Sequence, residues 1–124
     1  MTSSSTRLLA PRVRRALLYL QGFDQKKIAK ARAHPTLDCA CLDMEDGVGV
    51  TMKDHARAGI VHALQTVDFG RTEVVARINS FDTGDLAMRD LEALLESPVL
   101  PHAIVIPKCE TSGNSCIHTY IVIE

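Results

Sequence analysis

The sequence has little of what nucleic-acid-binding and membrane proteins need. It contains no tryptophan, two tyrosines and three phenylalanines, so aromatic platforms on which bases could stack are scarce. Its formal net charge is −1, without the basic excess that attracts nucleic acids. No apolar run approaches the roughly 20 residues that a membrane-spanning helix requires. These absences predict a soluble protein with neither a nucleic-acid partner nor a membrane partner.

Zinc-type cysteine spacing and a secretion signal are also missing. The four cysteines form no Cys-x-x-Cys pair, so a zinc knuckle is not expected. Cys39 and Cys41 lie in an apolar context, which is typical of buried free thiols. The absence of a secretory signal favours a reducing compartment.

The N-terminal segment Met1–Arg15 carries four arginines and no acidic residue. This composition is typical of an organellar transit segment, and a disordered basic tail explains it equally well. We therefore expect residues 1–13 to be a disordered or transit-like N-terminus. The compartment is either mitochondrial or cytoplasmic, and the sequence leaves the choice undecided.

The remaining chain alternates short apolar segments with helix-forming ones. Hydrophobic residues make up 46% and charged residues 23%, the balance of a globular domain. Asp24 is placed to cap a first helix, Thr51 with Asp54 a second, and Asp82 opens a third. This alternation predicts an α/β fold with a parallel sheet covered on both faces. The predicted strands are Ala16–Leu20, Cys39–Asp43, Glu73–Asn79 and Ala103–Pro107.

The C-terminal residues Thr111–Glu124 depart from this alternation, because no amphipathic helix begins where a fourth is due. Ile117–Ile123 is instead a nearly uncharged segment of high β-propensity. We divide the chain into the N-terminus 1–13, a domain over 14–110, and an atypical tail over 111–124.

Polar residues gather where each predicted strand ends. The carboxyl ends of parallel strands lie on one rim of a sheet, which is where α/β enzymes place their chemistry. A cleft with an arginine, a lysine and several carboxylates suits an anionic substrate. For Asp43 alone, a solvated loop position remains an equally good interpretation. The rim residues are Gln21, Asp43, Glu45, Asp46, Arg77, Asn79, Lys108 and Glu110.

Several motifs occur in register between Arg14 and Glu110. They include Cys41-Leu-Asp-Met-Glu-Asp-Gly-Val, Lys53-Asp-His-Ala-Arg57, Arg77-Ile-Asn79 and Ile106-Pro-Lys108. Together they resemble the citrate lyase beta-subunit branch of the HpcH/HpaI aldolase family. The resemblance implies the N-terminal half of a TIM (β/α)8 barrel, with four parallel strands and three helices, followed by the atypical tail.

The resemblance also implies a function. The family comprises magnesium-dependent carbon–carbon lyases that act on citryl-, citramalyl- or malyl-CoA-type esters through an enolate, usually as homotrimers or larger assemblies. Arg77 matches the family's catalytic arginine, which binds a substrate oxygen and stabilises its developing charge. Asn79 and Lys108 are then substrate-binding residues. Glu45 and Asp46 match an acidic pair that acts on the metal site indirectly or through water.

Two departures from the family pattern, at Gln21 and at the metal ligands, qualify this prediction, and Asp46 discriminates between the branches of the family. Gln21 replaces the usual proline, and Asp46 stands where the pyruvate-type branch carries a histidine, which favours the CoA-ester branch. The family's metal-binding glutamate and aspartate lie beyond the matched region, so we expect no metal ligand in this chain.

We therefore expect a truncated lyase that is inactive alone. The alternative is a non-catalytic half-barrel module, binding or regulatory, that pairs with a homologous chain. A doubly wound nucleotide-binding domain is disfavoured, because no Gly-x-Gly-x-x-Gly follows the first strand. The hydroxyacyl-CoA concerned, and the choice between lyase, synthase and thioesterase, remain open.

Overall fold

The computed structural model describes the backbone of residues 14–110 and 116–122 and the side chains of residues 14–107. The predicted N-terminus 1–13 lies outside the described residues. No helix in the described part of the chain is both long enough and apolar enough to cross a bilayer. The elements are β1 (Leu17–Gln21), α1 (Gln25–Arg32), β2 (Cys39–Asp43), a 3₁₀ turn (Val50–Met52), α2 (Lys53–Thr66), β3 (Glu73–Arg77), α3 (Leu86–Glu96), β4 (Ala103–Glu110) and β5 (Cys116–Val122).

The five strands form one sheet in the order β1-β2-β3-β4-β5. The pairs β1–β2, β2–β3 and β3–β4 are parallel. All three helices pack against the same face of the sheet, as the general rule of right-handed crossovers between consecutive neighbours predicts, whereas a doubly wound sheet reverses its strand order. The winding is that of the first half of a TIM barrel, and the predicted fold class of four parallel strands with three helices is confirmed.

The two faces of the sheet bury different sets of residues. On the helix-covered face, Leu42, Ala76 and Ile104 join the main core with residues of all three helices. The opposite face, which corresponds to a barrel interior, buries a smaller cluster of Cys39, Cys41, Val75, Ala103 and Val105. All five residues of β2 are buried, because it lies between two neighbours and is covered on both sides.

The atypical tail contributes the fifth strand. β5 pairs with β4 in the antiparallel direction, with a register irregularity between Ile106 and Cys109. The β-propensity predicted for Ile117–Ile123 is confirmed for the part that lies within β5. This antiparallel pairing ends the parallel winding of the first four strands within the part of the chain that the structure describes.

Local sequence signals placed one helix start correctly and two incorrectly. Asp24 caps α1, and its carboxylate accepts from the amide of Lys27 at 3.1 Å. Thr51 was predicted to cap α2, but it lies in the 3₁₀ turn, and α2 begins without a side-chain cap. The predicted start at Asp82 is also wrong, since the chain turns there and α3 begins at Leu86. Gly84, with φ of +76°, holds a conformation that no helix residue adopts.

A close backbone contact joins α2 to the turn after β1. A Cβ atom on Gly59 would collide with the carbonyl oxygen of Gly22, and one on Gly22 would lie 2.7 Å from Ile60 Cγ1. The Nε2 group of Gln25 donates to the Gly59 carbonyl oxygen at 2.9 Å. Neither glycine has room for a side chain, because α2 packs directly against the turn that follows β1.

Gly59→Ala tests this contact, because an alanine would raise the free energy of unfolding at an open helix position and lower it at a crowded one. An alanine at an unobstructed helix position stabilises by up to about 1 kcal/mol over glycine. Here we expect destabilisation by about 1–3 kcal/mol in urea unfolding, because the added Cβ would clash with the backbone carbonyl oxygen of Gly22, which cannot move aside as a flexible side chain can. At the exposed neighbour Ala58, the reverse change to glycine is expected to cost about 1 kcal/mol from helix propensity alone. A stabilised Gly59→Ala chain would contradict the packing described.

Candidate functional site

A buried ion pair forms at the rim between two neighbouring strand ends. Asp43 ends β2, Arg77 ends β3, and the two residues are register partners. The Arg77 Nε lies 2.8 Å from Asp43 Oδ1, and Nη2 lies 2.9 Å from Oδ2. The side chains are only 2% (Asp43) and 11% (Arg77) exposed. This two-point contact fixes both the position and the plane of the guanidinium.

The Asp43 carboxylate also accepts two backbone hydrogen bonds. The amide of Glu45 donates to Oδ1 at 2.9 Å, and the amide of Gly47 donates to Oδ2 at 2.8 Å. Burial by itself raises the pKa of Asp43, but the hydrogen bonds from Arg77 and the two amides outweigh it and hold the pKa below its usual value. Burial lowers the pKa of Arg77, and the contact with Asp43 more than compensates, so its pKa is raised. Both groups are therefore charged at neutral pH.

Two further residues contact the Arg77 guanidinium. The Oε1 atom of Glu45 lies 3.4 Å from Nη1. The ring of Tyr19 lies beneath the guanidinium, with Cζ 4.4 Å from the ring centroid, a cation–π arrangement. Tyr19 occupies β1 and Glu45 follows β2, so residues from the first two strands hold the arginine of the third.

Lys53, at the start of α2, anchors the loop that follows β2. Its Nζ donates to the carbonyl oxygens of Met44 and Glu45, each at 2.8 Å. Burial lowers the pKa of Lys53, although nearby carboxylates, including Asp43 and Asp90, oppose the shift. This loop is therefore held by a helix as well as by the sheet.

Asn79 is buried in a second polar network behind the rim. Its backbone amide and its Nδ2 both donate to Asp90 Oδ2, at 2.9 and 2.7 Å. Asp90, on α3, is fully buried, and its Oδ1 accepts from Nε and Nη2 of Arg57 at 3.0 and 2.9 Å. The network joins the loop after β3 to α2 and α3.

The structure brings some of the predicted site residues together and separates others. Arg77 and Glu45 are in contact, and Asn79 lies two residues beyond Arg77, in the loop that follows β3. The predicted acidic pair divides, since Glu45 is buried and Asp46 is exposed. Lys108 belongs to β4, and its side chain lies outside the described ones. The catalytic and binding roles of these residues stay predictions.

Sequence reasoning left several site residues unassigned. Tyr19 was recoverable, because strand alternation places it on the same face as its register partner Cys41 and near Asp43. Gly47 also carried a signal, as a glycine directly after three acids. The roles of Lys53 and Asp90 carried none, since both depend on how the helices pack.

The described residues do not by themselves make a magnesium site. Among residues 14–107, no group of three histidine, cysteine, aspartate or glutamate side chains is placed to hold a metal ion. Both oxygens of Asp43 accept hydrogen bonds, and Glu45 is paired with Arg77. Divalent magnesium needs several free oxygen ligands, so the described part of the chain does not fit a resident ion.

A large groove lies at the other end of the strands. Its volume is about 1130 Å³, and it is lined by residues that precede β1, β2 and β3, including Arg15, Asp38 and Arg71. By its volume alone, this groove would be a candidate for the functional site. The groove has its own two-point pair, since Arg14 donates to Glu73 at 2.7 and 2.8 Å. It lies at the amino ends of the strands, however, and barrel enzymes place their chemistry at the carboxyl ends, so we place the candidate site at the rim.

The cysteines of β2 are structural. Cys39 and Cys41 are buried free thiols, as predicted. Burial first, and then the nearby Glu73 carboxylate, raise the pKa of Cys39 to about 12. A thiol this hard to ionise is not a nucleophile at neutral pH.

The chain is thus a half barrel of the α/β class, with a fixed guanidinium beside carboxylates at the carboxyl ends of its strands. The sequence matches the HpcH/HpaI aldolase/citrate lyase family over residues 15–116. The chain belongs to this family, as the motifs predicted.

Individual relatives support the same placement. The chain is 48% identical over 112 residues to human mitochondrial citramalyl-CoA lyase, covering 89% of this chain and 31% of that protein. It is 35% identical over 102 residues to the citrate lyase subunit beta of Leuconostoc mesenteroides, covering 82% and 32%. The crystal structure of CitE from Mycobacterium tuberculosis with magnesium and acetate superimposes with a TM-score of 0.62 at 32% identity, covering 77% and 37%. The chain spans about a third of the length of the curated relatives it matches.

Gly47→Ala tests how closely the loop after β2 fits the Asp43 carboxylate. An added Cβ would lie 2.6 Å from Asp43 Oδ2, so the amide of residue 47 would be pushed off its acceptor. We expect a loss of about 1–3 kcal/mol in urea unfolding. The matched control is Gly49→Ala, where an added Cβ meets no atom within 4 Å and stability should hold within about 0.5 kcal/mol. Equal effects at the two positions would exclude the close fit.

Asp43→Asn tests the ion pair through its pH dependence. Because the folded-state pKa of Asp43 is below the unfolded value, its contribution is complete above about pH 4 and is lost as the pH falls further. We expect the variant to lose about 3 kcal/mol at pH 7, since it removes the charge of the two-point partner of Arg77 and leaves the buried guanidinium only the 3.4 Å contact with Glu45. The difference from the parental chain should shrink between about pH 4 and pH 2 in denaturant titrations. A difference that stays constant over this range would disprove the assignment.

Proposed function

We propose that this chain is a shortened member of the magnesium-dependent acyl-CoA lyases and carries the part of the site that grips the substrate. The observation that carries this proposal is the position of Arg77, held rigidly at the rim by Asp43. The chain's membership in a family that includes citramalyl-CoA lyase and citrate lyase supports the substrate class. Carbon–carbon cleavage of a citryl-, citramalyl- or malyl-CoA-type ester through an enolate is the proposed reaction.

Arg77 has hydrogen-bonding capacity left for a substrate. A guanidinium carries five N–H groups; Asp43 engages the Nε and one Nη2 donor, and Glu45 lies 3.4 Å from Nη1, which leaves one further N–H on each Nη. Remaining donors of the Nη groups can bind a carboxylate or thioester oxygen and stabilise the negative charge that an enolate places there. A fixed guanidinium pays little reorganisation cost when this charge develops.

The charge at the rim supports the expectation that this half needs a further cation to bind its substrate. Asp43 neutralises Arg77, while Glu45 and Asp46 add negative charge close by. A dianionic substrate therefore needs a further cation, and magnesium, which the CitE crystal structure contains, is the family's candidate. Since residues 14–107 do not fit such an ion, its ligands have to come from outside this part of the chain. We accordingly expect the chain alone to be inactive.

The second candidate function is a half-barrel module that pairs with a homologous chain. One observation favours it: among the described strands, β1 has a partner on one edge only. An unpaired edge offers backbone donors and acceptors to another strand. Size-exclusion chromatography separates the two candidates, because a monodisperse dimer supports the module, and insoluble or heterogeneous material supports a shortened enzyme. A homotrimer or larger assembly is the family-based expectation for a complete enzyme.

The compartment remains a choice between mitochondrion and cytoplasm. The human relative is named as mitochondrial, and the arginine-rich residues 1–15 suit a transit segment. Fusion of this segment to a fluorescent protein decides the choice.

A chimaera tests the proposed role of Arg77. Residues 14–110 replace the matching region of human citramalyl-CoA lyase, and cleavage of citramalyl-CoA is measured with magnesium present. We expect activity from the chimaera and none from the 124-residue chain. Arg77→Ala should lower turnover by on the order of 10²–10³, the usual cost of losing a contact to a developing oxyanion.

The matched control for this experiment is Arg71→Ala, which removes an exposed arginine at the opposite end of the sheet. Its turnover should stay within about twofold of the parental chimaera. Parental turnover in Arg77→Ala would refute the assigned role.

A further inference from the structure

Asp90 is the most completely engaged carboxylate behind the rim, and no part of the proposed chemistry uses it. It is fully buried on α3, and its two oxygens accept four hydrogen bonds. Oδ1 takes two from Arg57, and Oδ2 takes two from Asn79. Burying a charge this deeply is unfavourable unless donors surround it, which these four do.

The two bonds to Asn79 fix more than its backbone. The Asn79 amide N–H sets where the loop leaves β3, and the Nδ2 contact at 2.7 Å sets the plane of the carboxamide. Because Nδ2 donates to Asp90, the carbonyl oxygen Oδ1 of Asn79 is the carboxamide atom that does not contact Asp90. One carboxylate oxygen thus orients a side chain two residues from Arg77.

Arg57 keeps this arrangement from repelling an anion. Its Nε and Nη2 lie 3.0 and 2.9 Å from Asp90 Oδ1 and neutralise the carboxylate. The third nitrogen, Nη1, pairs with the exposed Asp54 at 2.8 Å. Arg57 therefore offsets the charge of Asp90 inside the helix layer, while the second carboxylate, Asp54, carries its charge at the exposed surface.

We propose that Asp90 is a positioning residue that orients the carboxamide of Asn79 toward the acyl-CoA substrate, with Arg57 as its counter-ion. This inference rests on the proposed function, because it assumes that the rim beside Arg77 binds the ester. It assigns Asp90 and Arg57 an action through Asn79, without contact to the substrate. A purely structural Asp90 would stabilise the helices but leave ligand affinity unchanged in a folded chain.

The first experiment needs no ligand. Hydrogen exchange of side-chain amides is followed by NMR on the 124-residue chain, with the exposed Gln65 as the internal reference. We expect the Nδ2 protons of Asn79 to exchange at least about tenfold more slowly than those of Gln65, because Asp90 holds them away from water. Equal exchange rates in the parental chain would overturn the inference without any variant.

Asp90→Asn removes one acceptor while keeping the shape of the side chain. We expect it to abolish the slow exchange of Asn79. Asp54→Asn is the matched control, because it makes the same chemical change on the same arginine at an exposed position. Its Asn79 exchange should match that of the parental chain, and fast exchange in this control would count against Asp90 as the acceptor that matters.

The second experiment measures the apparent affinity for citramalyl-CoA, taken as KM from initial rates, in folded variants of the chimaera that carries residues 14–110, with magnesium present. We expect Asp90→Asn and Asn79→Ala each to weaken binding by about tenfold, the value of one hydrogen bond. In a chain that already carries Asn79→Ala, adding Asp90→Asn should change affinity by less than about twofold. If the effects of the two substitutions on affinity multiply in the double variant, the positioning role is overturned. The same holds if a folded Asp90→Asn variant keeps the parental affinity.

Failure of the proposed function gives a different result. Parental affinity in Arg77→Ala, or no saturable binding by the parental chimaera, counts against the rim as the ester site and against the ligand part of this inference. The amide exchange of Asn79 is unaffected by either outcome, so the two failures are distinguishable.

Discussion

The contact between Asp43 and Arg77 is the constraint on which the rim depends. Two opposite charges are taken out of water at the ends of neighbouring strands, which is tolerable only because each finds partners at hydrogen-bond distance. The amides of Glu45 and Gly47 complete the shell around the carboxylate. The turn after β2 therefore has to take the course that points these amides inward, and a side chain on Gly47 would occupy the same space.

The helices stabilise this arrangement from behind. Lys53 on α2 holds the loop after β2, and Asp90 on α3 holds the loop after β3. Loops are usually the most mobile parts of an α/β protein, yet here each is fixed from both the sheet and the helix layer. A binding group supported in this way keeps its geometry, which is what stabilisation of a developing charge requires.

Much of the fold was predictable because its signals are local. Short apolar segments separated by helix-forming ones produce a parallel sheet, and Asp24 caps its helix three residues from the amide it binds. The errors at Thr51 and Asp82 have a common cause. Either residue type can serve as a cap or as part of a turn, and here a 3₁₀ turn and a tight turn with Gly84 in the left-handed region took their place.

The sequence by itself determined the family, the strand–helix order and the set of polar residues at the rim. It did not decide which of three acids within four positions would bind Arg77, because Asp43, Glu45 and Asp46 carry the same charge. That choice was made by the register of β2 against β3 and by the pleat, which turn Asp43 toward Arg77 and leave Asp46 exposed. The role of Asp90 could not be predicted from the sequence either. Asp90 meets Arg57 across 33 residues and Asn79 across 11, and only the packing of helices on the sheet brings them together.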